Sequence, residues 1–185
     1  MEGFVANYIE RNQKLLAELD PPQIARIIAE FVKARDTGKR IYAIGNGGSA
    51  STASHFVNDM GKGASIGREK RFKVIPLTDN VEWMTALSND QCYEDVFVEQ
   101  LRNFAEPGDV LLAISGSGNS ENVLRAVRYA NEAGCVTIGF TGFQGGKLRD
   151  LVQHGIVVGS DHMGRIEDMH VILQHMICYF FMEQA

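Results

Sequence analysis

Apolar residues recur along this chain in two alternating rhythms. Near the start they fall at Phe4, Val5, Tyr8, Ile9, Leu15, Leu16 and Leu19 with charges between, the spacing of an amphipathic helix. Asp20-Pro21-Pro22 ends that pattern and opens another, since Asp caps a helix and Pro suits its first turn. Ile24, Ile27, Ile28, Phe31 and Val32 then predict a second helix. Short apolar runs follow at residues 40–44, 72–77, 109–115, 136–140 and 155–158. They are too short for core helices and read as buried strands. Helical patterns separate them, from the turn at 45–50 through Met60, over 81–87, 96–104 and 121–130, and over 163–183 at the end. Residues 61–71, with three glycines and four cations, read as an exposed loop. Near-continuous apolar strands alternating with helices predict an α/β fold whose parallel sheet is covered on both faces. With no repeat, linker or low-complexity tract, residues 1–185 are expected to form one domain.

Two turns carry the strongest chemical signal. The third strand runs into Ser115-Gly116-Ser117-Gly118-Asn119-Ser120 and then directly into a helix with apolar positions at Val123, Leu124, Ala126, Val127 and Ala130. Glycines let the backbone approach a ligand, hydroxyls donate hydrogen bonds, and the helix N-terminus offers unpaired N–H groups and partial positive charge. A phosphate is the expected occupant, although a serine-rich turn with a good N-cap has the same letters. The first strand ends in Gly45-Asn46-Gly47-Gly48-Ser49-Ala50, which fits the GxGxxA dinucleotide pattern. That pattern also needs an acidic residue about twenty positions on, at the end of the next strand. Asp79 lies well past that spacing, so a second amide- and hydroxyl-bearing loop on the same ligand fits better. In parallel α/β sheets both turns lie where ligands bind, beyond the carboxyl ends of the strands.

Side chains of a second kind sit on the helices. His55 and Asp59 are four apart and share a helix face, and Glu167 and His175 are two turns apart on the last helix. Histidine–carboxylate pairs on two helices suit a metal site or an acid/base pair, but a surface ion pair and a satisfied core histidine have the same spacing. His162 and His170 have no second group to pair with. By pattern alone Asn89-Asp90 and Tyr93-Glu94-Asp95 form a capping segment, and Arg165 caps a loop or meets a carboxylate.

Composition changes this picture little. The chain has 185 residues, 45% hydrophobic and 22% charged, with a net charge of -5. No basic block argues for direct nucleic-acid binding. The first residues have neither a charged nor an apolar leader segment, and the apolar stretch 176–182 is too short to span a bilayer, so a cytoplasmic protein without membrane contact is expected. Cys92, Cys135 and Cys178 are odd in number and widely spaced, as for free thiols in a reducing compartment.

The order of these motifs resembles a known family. Gly45-Asn-Gly-Gly-Ser-Ala50, His55-Phe56, Asn89-Asp90, Ser115-x-Ser-Gly-Asn-Ser120, Arg165-Ile-Glu-Asp-x-His170 and His175 together resemble the sugar isomerase (SIS) superfamily, and within it the phosphoheptose isomerases. The likeness runs from the first helix to the last. It implies a flavodoxin-like three-layer αβα sandwich on a five-stranded parallel sheet. It implies a homotetramer with active sites between subunits, burying the apolar first and last helices. It implies conversion of sedoheptulose 7-phosphate to D-glycero-D-manno-heptose 7-phosphate, the first step toward activated heptoses. The implied substrate-binding residues are Ser115, Ser117 and Ser120 at the phosphate, with Asn46, Gly47, Ser49, Asp90, Asn119 and Glu167. Zinc, one ion per subunit, would sit on His55, Asp59, Glu167 and His175, and Asp59 and His175 would act as base and partner acid/base. The sequence departs from the family pattern at Asp59 (Glu), Glu167 (Gln) and Gly116 (Thr), and residues 77–84 are one residue longer. A non-catalytic relative that binds the bacterial replication initiator protein, and a phosphosugar-binding module, are the alternative readings. Retention of His175 and of a carboxylate at 59 favours the enzyme.

Overall fold

A computed structural model describes residues 1–184. Five strands form one parallel sheet: β1 (Arg40–Gly45), β2 (Lys73–Pro76), β3 (Val110–Ser115), β4 (Val136–Gly142) and β5 (His154–Val158), in the spatial order β2-β1-β3-β4-β5. Eight helices surround it: α1 (Glu2–Ala17), α2 (Pro21–Asp36), α3 (Gly48–Asn58), α4 (Val81–Asp90), α5 (Val98–Phe104), α6 (Glu121–Glu132), α7 (Leu148–Leu151) and α8 (Met163–Glu183).

Side chains alternate across a strand, so each strand feeds two cores. Ile41 and Ala43 of β1, with Val110, Leu112 and Ile114 of β3, pack against α2, α3 and α8, where Phe31, Phe56, Leu173 and Phe181 are buried. Tyr42, Ile44, Leu111 and Ala113 point to the opposite core, closed by α4, α5, α6 and α7. The expected three-layer α/β/α arrangement is therefore present. Helix α1 lies outside it, touching α8 through a small cluster of Leu15, Ile166 and Met169. Much of its apolar stripe stays uncovered: Phe4, Val5, Ile9 and Leu16 are exposed, as are Met176, Tyr179 and Phe180 of α8.

The structure corrects the reading of residues 61–71 as a surface loop. Helix α3 runs on into a π-helical turn, Asp59–Gly63, with Met60 fully buried, and Ala64 and Ser65 are also buried. The Ser65 hydroxyl donates to the Met60 carbonyl at 2.8 Å and accepts from Phe72 N–H at 3.0 Å, drawing the segment inward. Lys62 and Gly63 are exposed, and residues 66–71 are solvent-facing throughout. A Cβ on Gly63 would run into Met182 of α8 and one on Gly61 would lie 3.1 Å from Val74, so these two glycines serve close packing, whereas Gly67 is open and holds φ 76° as a turn glycine. β2 is shorter than its apolar run, α7 (Leu148–Leu151) is a short helix the apolar pattern does not predict, and Tyr93–Asp95 forms a 3-10 turn beside the eight α-helices.

The strand order reverses between β1 and β3, which pair side by side with Gly45 opposite Ile114. A crevice opens at such a switch point because the chain leaves the two strands toward opposite faces. The two Gly/Ser turns follow these two strands, so the fold brings them to one place.

Candidate active site

At that switch point lies a hollow of about 300 Å³. Asn46, Gly47, Gly48 and Ser49 form one wall, Ser115, Gly116, Ser117 and Ser120 the other, and Met163 and Glu167 of α8 close it. Gly47 ends the first turn at φ 53°, a conformation glycine adopts without steric penalty. In the second turn Gly118 (φ 64°) lies against the Gly145 backbone so closely that no side chain fits.

The serines hold the loop and keep donors in reserve. Ser115 Oγ accepts from Gly118 N–H and Ser117 Oγ from Asn119 N–H, both at 3.2 Å. Each hydroxyl proton stays available to a ligand. Ser120 is the N-cap residue of α6 and makes no side-chain capping bond, and α3 likewise begins without a side-chain cap. Two helix N-termini with uncapped N–H groups thus border a hydroxyl-lined hollow, an environment that favours an anion. Glu167 is the counterweight, since an added Cβ on Gly48 would lie 2.6 Å from its carboxylate. Its charge occupies the start of α3, leaving the serine loop and α6 for the ligand's own anion.

Of the residues anticipated at the substrate, Asn46, Gly47, Ser49, Ser115, Ser117, Ser120 and Glu167 line the hollow. Asn119 and Asp90 do not. Asn119 binds the Ser117 carbonyl at 3.0 Å and accepts from Lys147 N–H at 3.1 Å, which pins the loop to the segment after β4. Asp90 is exposed at the end of α4 and accepts from Asn89 at 2.8 Å. Asp79 Oδ1 accepts from the Thr78 and Ser54 hydroxyls, and Asp79 is not among the residues that line the hollow.

Sequence reasoning overlooked Asn122. It is 2% exposed and exchanges two amide hydrogen bonds with Asn46, at 3.0 and 2.8 Å, while Tyr93 donates to Asn46 at 2.8 Å. Its signal was a polar residue four and eight positions before the buried Ala126 and Ala130, on the core face of α6.

The second cluster lies further along the same two helices. Asp59 Oδ2 is 3.3 Å from His55 Nε2 and 3.8 Å from His175 Nε2. The His55 and His175 rings meet edge to face with centroids 5.0 Å apart. One ligand atom from each of the three residues lies within 4.8 Å of the others. Glu167 is not in this group, so the anticipated four-residue metal set divides into a converging triad and a carboxylate in the phosphate-side hollow.

Two imidazole nitrogens and a carboxylate oxygen are a donor set that zinc takes in open, catalytic sites. An outer partner is also present, because fully buried Gln174 donates from Nε2 to Asp59 Oδ2 at 3.1 Å. Gln174 Oε1 is buried without a hydrogen-bond partner. The triad therefore fits a divalent ion. Gln174 too was missed, although it follows His170 by one helical turn on the buried stripe of α8. His170 itself is structural: it is 1% exposed, pairs through Nε2 with the Thr141 carbonyl at 3.1 Å, and burial lowers its pKa to about 4.

A phosphate-type cradle joined by two helices to a His/Asp/His cluster defines a protein that handles phosphorylated small molecules, and the comparisons sharpen this. The SIS domain model matches residues 4–142, and the chain belongs to that family. Within it the chain groups with the phosphoheptose isomerases and is a sugar-phosphate isomerase. It is 38% identical over 171 residues to a probable phosphoheptose isomerase of Thermoplasma acidophilum, covering 92% of this chain and 93% of the relative. It is 38% identical to the phosphoheptose isomerase of Aliarcobacter butzleri, covering 94% and 87%. Its fold matches the phosphoheptose isomerase structure from Francisella tularensis with a TM-score of 0.91, at 28% identity over 98% of each chain. Among the described residues, no helix is long and apolar enough to cross a membrane.

Proposed function

We propose that this protein interconverts sedoheptulose 7-phosphate and D-glycero-D-manno-heptose 7-phosphate, with Asp59 and His175 moving the protons. The observation that carries the assignment is the placement of both clusters on the same two helices. Glu167 and His175 are eight residues apart on α8, about 12 Å along a helix. That is the reach needed by an extended seven-carbon chain with its phosphate at one end and its carbonyl at the other.

Ser115, Ser117 and Ser120 hold the phosphate with the N-terminus of α6, and Asn46, fixed by Asn122 and Tyr93, orients a neighbouring hydroxyl. Glu167 accepts from hydroxyls along the chain. In the ketose-to-aldose direction, Asp59 removes a proton from C1, giving an enediol, and returns it to C2. His175 serves the oxygens, accepting the O1 proton as the aldehyde forms and donating one to O2. The site must polarise the carbonyl oxygen as well as position these groups. A zinc ion on His55, Asp59 and His175 would supply that polarisation as a Lewis acid.

The exposed apolar residues of α1 and α8 support a homotetramer in which these helices are covered by other subunits, and a cytoplasmic location fits three free cysteines. The chain as a whole, residues 1–185, is read as one SIS domain. The relatives' isomerase names favour the enzyme over a scaffold that binds a replication initiator, which nothing in the comparisons supports. Incubation with sedoheptulose 7-phosphate, with and without added zinc, tests the assignment: the aldose phosphate should form, and its absence under both conditions would reject it.

A further inference from the structure

A feature that the isomerase reading leaves unused lies behind α8. A second hollow, of about 390 Å³, opens beyond the carboxyl ends of β4 and β5, between α1 and α8. Its volume is within the range of small-molecule sites, and its place at the strand ends is where α/β folds put ligands. Arg165, on its wall, is two residues from both Met163 and Glu167, about 200° around the helix from each. The two hollows therefore lie on opposite sides of α8.

Three cations converge on it: Arg11 and Lys14 from α1, and Arg165 from α8. None of the three forms an ion pair with an acidic residue among the described residues. Arg165 stacks over the Tyr8 ring at 5.3 Å, which fixes the guanidinium plane, and its Nε is buried with no hydrogen-bond partner. A buried orphan donor on a charged group is costly unless something meets it. On the opposite wall Phe143 holds φ 51°, the only positive-φ residue other than glycine among the described residues. Its N–H bonds the Ser160 carbonyl at 3.0 Å. Backbone strain of this kind in an aromatic residue is uncommon and clusters at binding sites. Glu18 and Asp161 complete the lining with acceptors suited to hydroxyl groups.

Most of the apolar surface expected to meet other subunits lies on another face of α1, Phe4 excepted, which sits seven residues before Arg11 and beside Tyr8. Arg11, Lys14 and Glu18 recur at three- and four-residue spacing and share one face of α1, whereas Val5, Ile9 and Leu16 share another.

We infer that the hollow between α1 and α8 is a second ligand site, for a small polyol phosphate whose anionic group meets Arg11, Lys14 and Arg165 and whose hydroxyls meet Glu18 and Asp161. The test uses the intact protein and calorimetric titration with D-glucitol 6-phosphate, an open-chain polyol phosphate with no carbonyl to isomerise, and in parallel with inorganic phosphate. Two binding events per chain are expected. Ser115→Ala/Ser120→Ala should remove one and leave the other. Arg11→Ala/Lys14→Ala, on an exposed helix face, should weaken the second by about tenfold or more while the isomerase rate stays unchanged. At that second site the polyol phosphate should bind more tightly than inorganic phosphate, and Glu18→Gln should narrow the gap. A single binding event per chain that responds only to the serine variants would overturn the proposal. So would a second event indifferent to Arg11→Ala/Lys14→Ala, or one that binds inorganic phosphate as tightly as the polyol phosphate.

Discussion

His175 Nε2 lies 3.8 Å from Asp59 Oδ2 within a single chain, although one comes from the last helix and the other from the turn that follows α3. The carboxylate is also held by His55 and Gln174, so it is fixed before any substrate arrives. Prior alignment of an acid/base pair removes entropy that the reaction would otherwise have to lose. His175→Ala is expected to reduce kcat by about a hundredfold to ten-thousandfold, the usual contribution of a positioned proton-transfer group. Binding of the sugar phosphate, which depends on the serine loop, should change little. Single-turnover rates and calorimetric affinity measured on the same variant separate the two effects, and an unchanged kcat would refute the role.

Ser120 is expected to behave differently. Its hydroxyl is unused by the helix it caps and the residue lines the hollow, where under the proposed function it would meet a phosphate that does not change during the reaction. An interaction present equally in ground and transition states affects KM rather than kcat. Ser120→Ala should raise KM by about tenfold, the value of one charge-assisted hydrogen bond, with kcat within about twofold of the parent. Steady-state kinetics over a wide substrate range checks this.

His170 gives a pH dependence to stability rather than to catalysis. Burial holds it neutral, with a pKa near 4, and the hydrogen bond to Thr141 opposes that shift only partly. The unfolded chain carries an ordinary histidine with a pKa near 6.5. As pH falls below about 6.5 the unfolded state takes up the proton first, so stability declines until the folded pKa is reached. The contribution should be constant above pH 7, and about 2 kcal/mol should be lost by pH 5. Urea unfolding at both pH values should show the loss, and His170→Gln, which keeps a donor for Thr141 but cannot titrate, should lessen it.

Much of the fold could be read from the chain because its strands are unusually plain. Ile41 to Ile44 and Val110 to Ile114 are apolar without interruption, as a strand covered on both faces must be. The phosphate-side hollow was legible because two Gly/Ser turns follow strands that the fold places side by side. Residues 61–71 misled because glycine and lysine suggest solvent throughout, whereas here Gly63 packs against Met182 and Ala64 and Ser65 turn inward between exposed neighbours. Gln174 and Asn122 went unnoticed because a polar side chain on an apolar helix face attracts attention only once its buried partner is known. The separation of Glu167 from the histidine triad depends on its side chain meeting Gly48, which spacing along α8 does not specify.

The Gly116 position provides a prediction that joins sequence departure to packing. The resemblance read from the sequence implies Thr at this position, and this chain has Gly. An added Cβ on Gly116 would lie 2.5 Å from Met163 Sδ, closer than real Cβ contacts come, so the methionine occupies the room a threonine would need. Both residues line the phosphate-side hollow. Gly116→Thr alone must push Met163 aside or distort the loop that presents Ser115 and Ser117, and either should weaken phosphate binding. Met163→Ala alone removes an apolar wall and opens the hollow to water. Combined, the substitutions should relieve the clash, because alanine at 163 has no Sδ, and the threonine hydroxyl adds a donor beside the serines. The expected result is a non-additive double-mutant cycle, with the double variant binding sugar phosphate at least about fivefold more tightly than Gly116→Thr alone. Affinities for a non-isomerisable phosphate ligand in all four proteins decide the matter. Independent, additive effects would show that Gly116 and Met163 do not share the space.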